Sequence, residues 1–167
     1  MTKLITIKED ITISKNIERV WEICALDFQH IDRWDANVKQ SIPSENQHLE
    51  ANVGGRICYQ YSGAKTVEKL TEYDEKNNTF TYAITEGLPG FVINAHNRWE
   101  LARTDINETK LTMKVSIELK GIFGSLMSGM MKHQMSKILR SAQEELKHFI
   151  ENGSPHPRKQ KKQSKTR

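Results

Sequence analysis

The first residues of the chain alternate between apolar and polar side chains. Isoleucines occupy one parity of residues 4–14, at Ile5, Ile7, Ile11 and Ile13. This period of two is typical of a strand with one buried face. The acidic pair Glu9-Asp10 interrupts the alternation, so we predict a strand that bends at this pair.

Two short helical segments are predicted next. Ser14 or Asn16 can cap a helix, because a short side-chain oxygen can accept a free backbone N–H. Apolar residues then recur at helical spacing, at Ile17, Val20, Trp21 and Cys24. Phe28, Ile31 and Trp34 are spaced by three, which predicts a second helix or helical turn packed beside the first.

Residues 38–119 return to the strand pattern, and turn residues divide them into about six strands. The predicted breaks are Pro43, Gly54-Gly55, Ser62-Gly63, 74–78, 88–90 and 105–108. The clearest one-sided sets are Phe80, Tyr82 and Ile84, and Leu111, Met113, Val115, Ile117 and Leu119. Polar residues fill the other parity, so we predict an antiparallel meander with one dry face.

The helical period returns over residues 125–151. One apolar stripe contains Met127, Met131, Ile138, Ala142, Leu146, Phe149 and Ile150. Asn152-Gly153 should stop this helix, and Pro155 and Pro157 should prevent its resumption. The final RKQKKQSKTR has no apolar residue, so we expect a folded domain over 1–152 and a disordered basic tail over 153–167.

The order of the elements indicates an α+β fold. A curved antiparallel sheet has one apolar face to cover, and the long C-terminal helix can cover it. The two short helices after the first strand would close one end. A sheet wrapped around a helix encloses volume, and ligands bind in such cavities.

Three stretches of sequence resemble one superfamily. They are ISKNIERVWEICALDFQHIDRW, VGGRICYQYSG and KTVEKLTEYDEKNNTFTYAI. They are similar to the SRPBCC, or START-like and birch-pollen-allergen-like, proteins, in particular the polyketide cyclase/dehydrase and lipid-transport branch. The resemblance covers residues 5–150 and implies a helix-grip fold with a hydrophobic cavity. It implies no shared catalytic set, so it transfers no catalytic residue.

The net charge of +4 comes from the tail. Six of the 25 basic residues lie in residues 153–167, which hold no acid, so 19 basic and 21 acidic residues remain in the body. This distribution argues against a nucleic-acid surface across the fold. The tail could make a weak contact with an anionic surface, or it could be a solvated end.

The remaining composition favours a cytoplasmic protein. The N-terminus has no continuous apolar segment of the kind found in secretion signals. The longest charge-free apolar stretch, GIFGSLMSGMM, is too short to span a bilayer. Cys24 and Cys58 form no metal or redox motif, which suggests a reducing compartment.

Methionines are concentrated at the start of the predicted long helix, at Met127, Met130, Met131 and Met135. Methionine is flexible and polarizable, so it fills core gaps and also suits pockets that accept guests of several shapes. Both interpretations stay open here. Gly121, Gly124 and Gly129 could let the helix start move, or could simply form the turn out of the last strand.

Candidate ligand-binding residues share the dry face of the sheet or the inner stripe of the helix. The set is Tyr59, Tyr61, Tyr82, Asn97, Trp99, Met113, Val115, Met127, Met131, Met135 and Ile138. Asn97 shares the parity of Trp99, so its amide could hold a ligand hydroxyl or carbonyl. His96 lies on the other parity and is expected outside.

Few residues suggest chemistry. Arg56 and Glu68 lie on neighbouring predicted strands and could pair, either at the surface or with Glu68 as an acid of the pocket. No histidine pair has metal-ligand spacing, and no phosphate loop or nucleophile motif is present. The sequence therefore predicts no metal and no cofactor.

Three functions follow, in order of preference. The first is carriage or sensing of a hydrophobic small molecule, such as a lipid or polyketide, in an internal cavity. The second is a cyclase/dehydrase-type enzyme in which Asn97, a tyrosine or Glu68 assists proton transfer. The third is a protein-interaction module, which a filled interior would favour.

Overall fold

A computed structural model describes residues 2–47 and 54–165. Its centre is a seven-stranded antiparallel sheet in the order β1-β7-β6-β5-β4-β3-β2. The strands are β1 (Thr2–Ile13), β2 (Val38–Gln47), β3 (Gly54–Gln60), β4 (Lys65–Asp74), β5 (Thr79–Glu86), β6 (Val92–Asp105) and β7 (Glu108–Lys120). The predicted α+β helix-grip arrangement and the six strands after the short helices are confirmed.

Strand β1 runs without interruption through Glu9-Asp10, so the acidic pair does not end the strand. Its isoleucines face the interior opposite β7, as in the pair Ile5 and Ile117. Glu9 shares their parity and meets the C-terminal helix, where its Oε2 accepts a 2.8 Å hydrogen bond from Nε of Arg140. This acid on the inward parity therefore finds a basic partner on the covering helix.

The two short helical segments close one end of the sheet. Helix α1 (Ile17–Trp21) begins after Asn16, whose side chain accepts a 2.9 Å hydrogen bond from the Arg19 N–H. One π-helical turn (Glu22–Leu26) and a 3-10 helix (Phe28–Arg33) follow. The rings of Trp21 and Phe28 each lie 5.9 Å from the ring of Phe80 on β5, so aromatic packing fixes this cap on the sheet.

Strand β2 runs through Pro43, where a break was expected. The strand lies at the edge of the sheet, and proline is tolerated there because the missing N–H is not needed by a second neighbour. The pairing register with β3 shifts between Pro43 and Gln47. The proline therefore disturbs the pairing without ending the strand.

The long helix α2 (Gly121–Asn152) begins earlier than predicted. Gly121 has a φ of 74°, which suits the sharp turn out of β7. A Cβ on Gly124 would lie 3.0 Å from the Cβ of Leu119, so this glycine allows close approach of helix and strand. The helix ends as expected at Gly153, which has a φ of 71° and donates its N–H to the Phe149 carbonyl at 2.9 Å.

The basic tail differs from the expectation of disorder. Residues Pro157–Ser164 form a third helix, α3, which packs on the domain. Lys159 is fully buried, and its Nζ donates a hydrogen bond to the Val38 carbonyl. Nε of Arg158 lies 3.0 Å from Oε1 of the buried Glu145 on α2. Arg158 and Lys159, two of the basic residues that suggested a solvated end, instead meet a carboxylate and a carbonyl of the folded body.

Among the helices of the described residues, none is long and apolar enough to cross a bilayer.

Candidate functional site

A cavity of about 580 Å³ lies between the inner face of the sheet and helix α2. Strands β5, β6 and β7 supply one wall, and the middle of α2 supplies the opposite wall. The segment between the 3-10 helix and β2 contributes Trp34, Asp35 and Asn37, and β2 contributes its first residue, Val38. A volume of this size lies within the range of small-molecule sites.

Most of the predicted site residues line this cavity. They are Tyr82, Asn97, Trp99, Met113, Val115, Met127, Met131, Met135 and Ile138. The alternation of β6 and β7 brings the strand residues to this face, and the helical period of α2 brings the others. Their placement around one cavity is a geometric result, and their role in ligand binding remains a prediction.

Tyr59 and Tyr61 do not line the cavity, so this part of the expected site is corrected. On β3 the inward parity belongs to Arg56 and Cys58, which leaves Tyr59 on the outer face with 39% of its surface exposed. Tyr61 lies beyond the end of β3 and faces the tail helix, with its ring centroid 5.4 Å from Nζ of Lys159. Tyr61 therefore helps to hold α3.

Five of the six methionines of the chain line the cavity, namely Met113, Met127, Met130, Met131 and Met135. Met113 is fully buried on β7, and Met131 and Met135 are half-buried on α2. Met130, which lies off the main apolar stripe, is 55% exposed and still reaches the cavity. The helix wall is thus made of side chains that can repack around different apolar shapes.

Arg56 and Glu68 form a buried ion pair in the sheet. They are directly opposite each other on β3 and β4, and Nε of Arg56 donates a 2.7 Å hydrogen bond to Oε2 of Glu68. The guanidinium also donates to the Phe28 carbonyl at 2.6 Å and lies 3.9 Å from the Phe28 ring centroid. The pair is therefore internal and is not a surface pair. Glu68 lines the cavity, and its charge is already matched by Arg56.

A β-bulge explains why the facing of Glu68 was ambiguous in the sequence. The β4–β5 register shifts between Val67 and Glu68, so both of these consecutive residues are buried. A strict period of two would place one of them outside. Glu68 shares the inward parity of Thr66 and Leu70 and so faces Arg56, and Val67 is the residue whose burial departs from simple alternation.

Tyr82, Asn97 and Trp99 form a polar group on the sheet wall. Nδ2 of Asn97 donates a 2.9 Å hydrogen bond to the Tyr82 hydroxyl. Oδ1 of Asn97 and Nε1 of Trp99 are buried and have no hydrogen-bond partner among the described residues. Burial raises the pKa of Tyr82, so its phenol stays protonated at neutral pH.

Asp35 is a cavity residue that sequence reasoning missed. Its Oδ1 accepts a 2.7 Å hydrogen bond from the Asn37 N–H, and burial raises the pKa of its carboxyl above the usual value. One signal pointed to this residue: it is an acid directly after the inward-facing Trp34, in a segment too short to show a clear period. Leu88 and Phe91 were missed as well, since they lie in and directly after the break predicted at 88–90.

His96 was expected outside but also lines the cavity. It is half-buried on β6, on the parity opposite to Asn97 and Trp99. The β6–β7 register shifts between Val92 and Asn94, close to His96 in the strand. From Asn94 onward the pairing is regular, so His96 keeps the outer parity that was expected and borders the cavity from that position.

The cysteine in the wall is not activated. Burial raises the pKa of Cys58 to about 11, and its Sγ lies 3.8 Å from the Ser41 hydroxyl. A thiol with such a pKa stays protonated at neutral pH and is a weak nucleophile. Within residues 2–47 and 54–165, no cluster of three or more His, Cys, Asp or Glu side chains could hold a metal ion.

The fold has relatives among solved structures. A START superfamily protein from Mycobacterium smegmatis matches with a TM-score of 0.73 and 13% identity, over 89% of this chain and 99% of that one. An uncharacterised protein from Bacillus thuringiensis has a TM-score of 0.73 and 17% identity, over 89% and 100% of the two chains. A truncated norcoclaurine synthase from Thalictrum flavum has a TM-score of 0.68 and 12% identity, over 89% and 94%. These likenesses establish the fold.

The sequence itself shows the family. No curated protein matches the chain significantly. The model of one family, described as polyketide cyclase / dehydrase and lipid transport, matches residues 5–151, from β1 to the end of α2. The match stops before α3, so the tail helix lies outside the family pattern. The chain belongs to the polyketide cyclase / dehydrase and lipid transport family.

Proposed function

We propose that this protein binds a hydrophobic small molecule in the cavity between the sheet and α2, and acts as its carrier or sensor. The observation that carries the proposal is a cavity of about 580 Å³ whose helix wall is built from methionines. Membership of a family described by lipid transport supports the same function.

The charges of the cavity favour binding over catalysis. Glu68, the carboxylate that could have served as an acid, is held by Arg56 at 2.7 Å. Burial raises the pKa of both Tyr82 and Cys58, so neither supplies a base or nucleophile at neutral pH. A wall of this kind holds a ligand without attacking it.

A cyclase/dehydrase-type enzyme is the second candidate, and Asp35 is the observation that favours it. Its buried carboxyl lines the cavity and has a raised pKa, which is a property of groups that exchange protons with substrates. The third candidate, a protein-interaction module, rested on a filled interior, and the cavity argues against it.

Native mass spectrometry of gently purified protein, before and after organic extraction, tests the proposal. We expect a mass excess that disappears on extraction and identifies a hydrophobic compound in the extract. A bare mass, together with no binding of the neutral dye N-phenylnaphthylamine, would contradict ligand binding. Recovery of a compound chemically altered by fresh apo-protein would favour the enzyme.

A further inference from the structure

Two polar atoms in the cavity wall lack a protein partner. Oδ1 of Asn97 and Nε1 of Trp99 are buried without a hydrogen bond among the described residues. The two residues are 8% and 4% exposed, and both line the cavity. An unmatched buried polar atom is unfavourable, so a group inside the cavity is the natural partner for each.

The two atoms have opposite hydrogen-bonding roles. A carboxamide oxygen accepts, whereas an indole N–H can only donate. Asn97 and Trp99 are two residues apart on β6 and face the same side, so one ligand end can meet both. The Tyr82 hydroxyl, which accepts from Asn97 at 2.9 Å, is a third group at the same place with its own proton to donate.

A ligand hydroxyl matches this arrangement. It can donate to Oδ1 of Asn97 and accept from Nε1 of Trp99 at the same time. A carboxylate can only accept and would face the Asn97 oxygen without a proton to share. An ammonium group can only donate and would leave the Trp99 N–H unmatched.

The electrostatics of the cavity also favour an uncharged head. Among the described residues that line it, none is a lysine or arginine. Arg56, behind the wall, is 2% exposed and is already bound to Glu68 and to the Phe28 carbonyl. A buried anionic head would therefore lose its hydration without gaining a counter-charge, which is strongly unfavourable.

A cationic head is also disfavoured, because the charge of Glu68 is already matched and burial opposes ionisation of Asp35. The charge of Glu68 is matched by Arg56, and burial raises the pKa of Asp35 and so opposes its ionisation. The Glu68 carboxylate is therefore already paired, and Oδ1 of Asp35 already accepts the Asn37 N–H at 2.7 Å.

We propose that the ligand is an uncharged amphiphile whose hydroxyl group binds Asn97 and Trp99 on the sheet, with its apolar body against the methionines of α2. The proposal rests on ligand binding as the function and adds the chemical class and the orientation. The head lies at β6, and the chain extends toward Met127, Met131 and Met135, which carry no polar hydrogen-bonding group.

Displacement of N-phenylnaphthylamine by four probes of equal length tests this class. The probes are decanol, decane, decanoate and decylamine. We expect decanol to bind about tenfold more tightly than each of the other three, because one net hydrogen bond to a buried partner is worth about 1.4 kcal/mol. Tighter binding of decanoate or decylamine, or equal binding of all four, would overturn the proposal.

Two variants locate the head group. Trp99→Phe keeps an aromatic ring but removes the N–H, and Asn97→Leu removes the carboxamide. Each should bring decanol to the affinity of decane and leave the affinity for decane nearly unchanged. Asn94→Leu is the matched control, because Asn94 lies on the same strand and instead donates to Glu118 at 2.7 Å. Urea denaturation identifies any variant that fails to fold. If one of the two variants fails to fold, the other carries the test.

The outcomes separate this proposal from the function on which it rests. The head-group proposal is wrong if the dye and decane bind but decanol binds no more tightly than decane, or if the two variants leave the advantage of decanol unchanged. In either case the cavity still binds ligands. If neither the dye nor any probe binds, ligand binding fails and the head-group proposal fails with it.

Discussion

Nε of Arg56 donates a 2.7 Å hydrogen bond to Oε2 of Glu68 across two strands, inside the protein. The side chains are 3% and 12% exposed. This pair converts what would be two isolated charges near an apolar cavity into one neutral unit. The cavity can therefore be polar in places without carrying an unmatched charge.

Arg56→Met should lower the free energy of unfolding by about 3–5 kcal/mol, because it leaves Glu68 buried and unpaired. The double variant Arg56→Met/Glu68→Leu should recover part of that loss, since no isolated charge remains. Urea denaturation measures both. Arg19→Met, which breaks the exposed Arg19–Glu22 pair, is the control and should change stability by less than about 1 kcal/mol. Equal effects at the two sites would contradict the internal role of Arg56.

Lys159→Met should loosen the tail helix from the segment that lines the cavity. The substitution removes the hydrogen bond from Nζ to the Val38 carbonyl, and a hydrogen bond to a charged group is worth about 1.5–3 kcal/mol. Hydrogen exchange at residues 35–38 should become faster. Lys161→Met, on the exposed side of the same helix, is the control. If both variants leave exchange at 35–38 unchanged, α3 does not hold this segment.

Asp35 should give the stability a defined pH dependence. Burial raises the pKa of this carboxyl above the unfolded value of 3.8, so the folded chain retains a proton that the unfolded chain releases. The contribution of Asp35 to the free energy of unfolding is therefore largest at low pH, and it declines as pH rises through the folded-state pKa of Asp35. Asp35→Asn, whose amide oxygen can still accept from the Asn37 N–H, should remove this contribution.

The difference between wild type and Asp35→Asn isolates this effect from the other carboxyls. Urea denaturation at several pH values above 3.8 should show the free-energy advantage of the wild type shrinking as pH increases. A difference that stays constant, or that grows with pH, would contradict the assignment.

Met131→Lys should greatly weaken ligand binding, because it places a charged side chain in the apolar wall of the cavity. Dye titration measures this directly. Ile122→Lys introduces the same charge on the same helix at a position that is 74% exposed, so it should bind dye like the wild type. Unimpaired dye binding by a folded Met131→Lys protein would contradict the position of the ligand.

Much of this fold could be predicted because its regular strands have one dry face. On β7 every residue of the predicted parity, from Leu111 to Leu119, is buried. The regular period also placed Asn97 and Trp99 correctly. The period gave the correct parity for His96 but did not predict its contact with the cavity. It left the facing of Glu68 open, because Val67 and Leu70 have opposite parities and both are buried beside an irregular pairing with β5.

The tail and Asp35 show a second limit of prediction from the sequence. The composition of residues 153–167 indicates disorder when the segment is considered alone. The order of α3 comes from distant partners, such as Val38 for Lys159 and Glu145 for Arg158. Asp35 became a cavity residue for the same reason, since the sheet and α2 enclose it from parts of the chain far away in sequence.

NMR of the methionine methyl groups during titration with N-phenylnaphthylamine tests directly whether a ligand occupies the cavity between the sheet and α2. Met113, Met127, Met130, Met131 and Met135 line the cavity and should report its occupation. We expect saturable shifts of these five signals with one binding constant. Shifts confined to the largely exposed Met130, or no saturable shift at all, would contradict a ligand-binding cavity between the sheet and α2.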